Sequence, residues 1–337
     1  MHPATLAFRA ALAAAVLLLA LAPCALAQTD NLSLAPELAT FDANEAVVRL
    51  SEPAEPLRFT VVPQPAASGV FTYGVALPDQ FGQPWEWQLL PEGLIYRTYL
   101  AGVREPRLSA TYFHESDHDG WLLDTSIGAR VGVLRYGTQS DIRPEGFQVD
   151  LEAAAFPRLN PESEMDLVSS DFRFGVPLTW GRGPFQTKLA YYHLSSHLAD
   201  EFLLKNPTFP RINFARDAIV LGASYYVTVD LRAYAEAGWA FYSDGGSDPW
   251  EFQFGIDYSP LLPTFGRGSP FVALNGHLRE EVSFGGNFVA QIGWQWRGKF
   301  TERLLRVGLH YLTGPSPQFQ FFRDSEEQLG IGVWYDF

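Results

Sequence analysis

Cysteine is almost missing from this chain. The single one, Cys24, lies in an apolar leader, so the segment beyond it can form no disulfide and can offer no thiolate to a metal. Long apolar runs are also scarce. After residue 27 no stretch reaches the roughly 18 consecutive apolar residues that a transmembrane helix needs. Basic residues are outnumbered: 24 Lys and Arg stand against 38 Asp and Glu, a formal net charge of −14. That balance excludes the basic footprint of a nucleic-acid binder. Glycine-rich phosphate loops, zinc-ligand spacings and nucleotide motifs are absent as well.

The first 27 residues have a basic residue at Arg9, an apolar run from Ala10 to Leu21 and the small-x-small triplet Ala25-Leu26-Ala27. This pattern predicts a secretory signal peptide over 1–27, with Gln28 as the mature start. The alternative is a lipoprotein with Cys24 as its lipidated first residue, for which Pro23 is a poor predecessor. Residues 28–91 are rich in Pro, Ala and Glu and lack a sustained period, which predicts an extended periplasmic segment. Residues 93–107, "GLIYRTYLAGVREPR", read either as a lead-in strand or as a piece folded into a lumen.

From Leu108 onward apolar and polar side chains alternate over segments of about ten residues. Trp250, Phe252, Phe254, Ile256 and Tyr258 share one parity; Glu251, Gln253 and Asp257 take the other. The same holds for Phe288, Ala290, Ile292, Trp294 and Trp296 against Gln291, Gln295 and Arg297. Aromatics are 15% of the chain, yet mean hydropathy is −0.04. Large aromatics recur near strand ends, as they do in the girdles at the two interfaces of a membrane barrel, and one face in oil with the other in water explains the balance.

The prediction is an all-β fold: a closed antiparallel transmembrane β-barrel of about 12 strands over 92–337, in a bacterial outer membrane. The strands centre on 107–115, 125–136, 146–157, 166–178, 185–196, 217–228, 231–242, 250–258, 269–277, 287–297, 303–312 and 328–337. In the last of these Leu329, Ile331, Val333, Tyr335 and Phe337 share a face. A terminal aromatic after alternating apolar residues resembles the closing strand of bacterial outer-membrane barrels. That strand, ending at Phe337, is the expected contact for the barrel-assembly machinery. The lumen parity carries Arg130, Asp150, Glu152, Asp171, Arg173, Lys188, Arg232, Glu236, Glu251, Asp257, Arg297 and Arg306. Long charges of both signs line a wide pore poorly, so a largely filled lumen is expected.

Several stretches together, "YRTYLAGVREPRL", "DFRFGVPLTWG", "YYHLSSHLADEFL", "AEAGWAFYSDGG", "PWEFQFGIDYSP", "NGHLREEVSFGGN" and "GVWYDF", resemble a planctomycete-type family described as a domain of unknown function. The resemblance covers about residues 80–337. It implies an envelope protein and brings no activity with it.

The stretch "YYHLSSHLADEF" holds the candidate chemistry. His193 and Ser195 share the lipid-facing parity near the outer end of a strand. This His-x-Ser pair resembles those of outer-membrane phospholipase A and the lipid A 3-O-deacylases, which implies hydrolysis of a lipid ester at the outer leaflet. Ser195 would be the nucleophile and His193 the base, with membrane lipids as partners. Asn213, on the parity of Ile219 and Leu221, is the expected orienting group, with Asp200 and Glu201 as alternatives. Asp200 and Glu201 are also the candidate ligands for a Ca²⁺ ion. Ser196-His197 stands where those enzymes carry Asn. His193 and His197 are about 13 Å apart on a straight strand, too far to share one metal ion. "FHESDHDG" gathers His114, Glu115, Asp117, His118 and Asp119 at a hairpin tip that suits a divalent ion. The rival function is non-enzymatic: a narrow channel, an adhesion platform or a structural envelope protein.

Overall fold

Period two sorts side chains to opposite faces of a pleat, and closing such a sheet on itself leaves no bare edge in hydrocarbon. A computed structural model describes residues 84–116, 120–139, 143–262, 265–298 and 303–337. The expected signal peptide, most of the N-terminal segment, and Asp117, His118 and Asp119 lie outside the described residues.

The strands are β1 (Glu86–Leu89), β2 (Leu108–Glu115), β3 (Gly120–Gly137), β4 (Gly146–Asn160), β5 (Asp166–Arg182), β6 (Phe185–Leu198), β7 (Ala215–Tyr226), β8 (Leu231–Asp244), β9 (Trp250–Tyr258), β10 (Ser269–Arg279), β11 (Gly286–Arg297), β12 (Leu304–Pro315) and β13 (Ser325–Asp336). Among the described residues one short α-helix, α1 (Asp200–Lys205), lies between β6 and β7. From β2 onward each strand pairs antiparallel with the next, and β13 returns to β2, so twelve strands close a barrel. The expected parity holds around it: Ile219, Ile292, Trp294 and Leu309 are exposed on the outer wall, while Arg130, Asp150, Lys188 and Arg306 are buried inside.

The thirteenth strand is part of the first. β1 pairs with the far end of β3, Leu89 opposite Leu134, on the edge that β2 occupies further along, Leu108 opposite Ile127. One wall position is thus filled by two pieces, and the chain between them turns inward. Leu94, Ile95, Tyr96, Tyr99, Leu100 and Ala101 are all buried within the barrel. Of the two readings left open for residues 93–107, the lumen insertion is the one observed.

This inner segment is fixed mainly by polar contacts. Tyr99 donates to Glu236 at 2.6 Å and stacks on Tyr234 at 3.8 Å. Arg104 pairs with Asp171 at 2.9 Å, and Arg107 with Asp336 at 3.1 Å. Arg232 donates to the carbonyls of Arg97 and Thr98. Gly222 on β7 makes room for it: a Cβ there would stand 3.1 Å from the Tyr96 hydroxyl and 3.3 Å from that of Tyr99. From the opposite mouth the 316–324 connection folds in, with Phe319 stacked on Phe214 at 4.7 Å and Gln320 donating to the carbonyls of Ser196 and Ile212. The wall adds pairs of its own, Arg130–Asp150 at 2.6 Å, Lys188–Glu236 at 2.7 Å and Arg232–Asp257 at 2.6 Å. The spaces left between the inner segment and the wall include pockets of about 50 and 40 Å³, room for a few waters.

Buried charges are tolerable only when partnered, so removing one member of a pair is costly. Arg306 shows this best. Fully buried, it donates to Asp336 at 2.8 Å, to Gln291 at 2.8 Å and to the Leu100 carbonyl at 3.1 Å, with its guanidinium over Phe271 and Trp334. Arg306→Ala should lower unfolding stability by about 3–5 kcal/mol. The check is the urea midpoint of the folded-to-unfolded gel-mobility shift; an unchanged midpoint contradicts it.

Candidate functional site

β6 runs toward the rim that carries the 199–214 and 316–324 connections, here called the upper rim. Its outer face reads Phe185, Thr187, Leu189, Tyr191, His193, Ser195, His197, while Gln186, Lys188, Tyr192, Leu194 and Ser196 are buried toward the lumen. His193 stands as far along β6 from Phe185 as Trp250 stands from Tyr258 on β9, and Phe288 from Trp296 on β11. Those pairs mark the two aromatic levels of the wall, so His193 stands at the upper one, at the edge of the apolar band.

Antiparallel pairing then brings in a residue from β7. Asp217 lies directly opposite His193, and Ala215 opposite Ser195. His193 Nδ1 is 3.0 Å from Asp217 Oδ1, and the same oxygen accepts the Tyr191 hydroxyl at 2.7 Å. A proton on Nδ1 shared with the carboxylate leaves the Nε2 lone pair free to act as a base. The imidazole is 42% exposed and the carboxylate 22%, so the pair is accessible from the outer wall yet partly shielded. A register irregularity between β7 and β8 falls at Asp217/Ala218, the kind of local bend that re-aims a side chain.

Ser195 is flanked by Phe172 of β5 and Ala215 of β7. It is the next outward residue after His193, with its Cα roughly 7 Å further along the strand. Among the described residues no hydrogen bond joins Ser195 to His193. His193 also borders a groove of about 470 Å³ on the outer wall. Gly128, Ala153 and Ala155 form its low floor, and Ile127, Phe172 and Phe174 stand around it.

The other expected residues are elsewhere. Because Ala215 is already opposite Ser195, Asn213 falls beyond the serine toward the rim. Its amide donates to Asp244 at 2.9 Å, and the position beside the histidine belongs to Asp217. Asp200 and Glu201 form the exposed first turn of α1, and Glu201 accepts the Leu167 backbone N–H at 2.6 Å. Among the described residues no group of three or more His, Cys, Asp or Glu side chains is placed to hold a metal ion. Asp217 carries a signal in the sequence itself. It is a carboxylate on the parity of Ile219 and Leu221, where lipid-facing residues are expected.

No curated protein matches the chain. Among solved structures, outer membrane phospholipase A from Escherichia coli is similar at 10% identity, covering 70% of this chain and 96% of that one, with a TM-score of 0.44. The Salmonella typhi outer membrane phospholipase dimer with bound calcium gives 10% identity, 68% and 91% coverage and a TM-score of 0.44. The KdgM porin gives 12% identity, 68% and 99% coverage and a TM-score of 0.37. All three likenesses are distant in sequence and loose in superposition. The family comparison covers far more: the model for a protein of unknown function, DUF1207, matches residues 46–337, and the chain belongs to that family.

Proposed function

We propose that this barrel sits in a bacterial outer membrane and hydrolyses an ester of a membrane lipid on its outer wall. Ser195 is the nucleophile, His193 the base and Asp217 the group that orients the base. The observation that carries the reading is the His193–Asp217 hydrogen bond on a face otherwise given to lipid, with a hydroxyl on the same face one pleat away. In the first step His193 Nε2 takes the Ser195 proton as Oγ adds to the ester carbonyl. The protonated imidazole then passes that proton to the departing alkoxide. Water, deprotonated by the same nitrogen, releases the fatty acid and restores the serine. The groove beside His193 lies where an acyl chain of a bilayer lipid would run.

The test is covalent trapping. A fluorophosphonate with an alkyl tail, added to the detergent-solubilised protein, should label one residue, and peptide mass spectrometry should place it on Ser195. Labelling elsewhere, or fatty-acid release from a preparation that takes no label, overturns the assignment. A channel function would require a water path past residues 94–107, which are packed inside the barrel.

A further inference from the structure

We propose that the cavity above the upper mouth of the barrel is a binding site for a small organic cation with an apolar body, reaching it from the aqueous side. The cavity measures about 440 Å³, within the range of roughly 300–1,000 Å³ typical of small-molecule sites. The upper ends of β2, β4 and β5 wall it, together with α1, the segment after α1 and the 316–324 connection. It shares no lining residue with the Ser195 site or with the groove beside His193. It therefore stands whether or not the barrel is a hydrolase.

One wall is aromatic. Phe202, Phe209 and Phe321 meet at ring-centroid distances of 5.1, 5.5 and 5.4 Å, and all three are only partly buried. α1 and the 316–324 connection bring these rings together from two separate parts of the chain. Three phenyl rings left partly open on a water-facing rim are poorly explained by folding alone, since apolar surface gains by full burial.

The charge on the remaining walls selects the guest. Glu115, Asp166, Asp324 and Glu326 line the cavity as carboxylates, against Arg158 and Lys205 as cations. Both cations are already engaged. Arg158 is held between Asp124 at 2.7 Å and Glu326 at 2.6 Å, and Lys205 rests on Asp166. Two of the four carboxylates, Glu326 and Asp166, are engaged in those pairs, so the lining keeps two more carboxylates than cations, and an anionic guest would meet that excess with both cations already held. A cation meets that excess favourably, and the negative faces of the rings add to it. The aromatic wall then requires an apolar body rather than a bare metal ion.

The experiment titrates the full chain in detergent micelles with benzyltrimethylammonium, and separately with phenylacetate, by calorimetry. Saturable binding of the cation is expected, with phenylacetate at least about tenfold weaker and the cation's affinity falling as salt is raised. Phe321→Ala and Asp324→Asn should each weaken the cation about 3- to 10-fold. Asp324 is exposed, so its replacement spares the fold, and gel mobility verifies both variants. The site is refuted if the cation shows no saturable binding, if phenylacetate binds equally well or better, or if both folded variants bind as the parent does.

Discussion

Ser195→Ala is expected to reduce fatty-acid release from phospholipid micelles by about a thousandfold or more, while the barrel keeps its folded gel mobility. The magnitude follows from what the serine does: without it no acyl-enzyme forms, and only the weak effect of holding the ester near polar groups remains. His193→Ala should be nearly as damaging. The double variant Ser195→Ala/His193→Ala should be no worse than either single one, because residues acting as a unit are not additive. Asp217→Asn is the more informative change. It retains the size of the side chain at the position opposite His193 but replaces the carboxylate that accepts from Nδ1 and from Tyr191 with an uncharged amide. A loss of up to about ten-thousandfold, carried by kcat rather than KM, is the expected signature of a base held in the wrong tautomer or orientation. If Ser195→Ala releases fatty acid at the parent rate, the activity belongs to a contaminant or to another residue, and the catalytic assignment fails.

The second large effect concerns the lumen. The parent protein should insulate a planar lipid bilayer, and a variant whose residues 91–106 are replaced by a short glycine–serine linker should open discrete conductance steps. The twelve wall strands hydrogen-bond to one another independently of that segment, so the barrel itself should persist. What disappears is the material buried inside the barrel, Leu94 to Ala101 and Arg104 after them. Arg232, Glu236 and Asp171 would lose partners to water rather than to a dry interior, which limits the energetic penalty. Conductance equal to that of the parent would mean that the 316–324 connection alone seals the barrel.

The strands and their facing were readable from the chain because membrane barrels impose a strict two-residue rhythm and mark both interfaces with rings. Trp250 to Tyr258 and Phe288 to Trp296 carried that information in full. The inner segment was ambiguous for a physical reason: "LIYRTYLAG" mixes apolar rings with charges in a way that suits either a wall strand or a packed lumen. Asp217 was missed because a partner across two strands depends on their mutual register. The 199–214 connection separates β6 from β7, and its length conceals that register. The cavity at the upper mouth was unreadable for a related reason, since Phe202, Phe209 and Phe321 come together only through the folding of two connections.

The division of the first wall position between β1 and β2 dictates an order of events. The inward detour is tethered at both ends to the same edge of β3, so it cannot be threaded through a mouth once the ring is sealed. Its tyrosines and arginines must already be lodged against the nascent curved sheet when β13 docks on β2. Biogenesis therefore delivers a container with its contents in place.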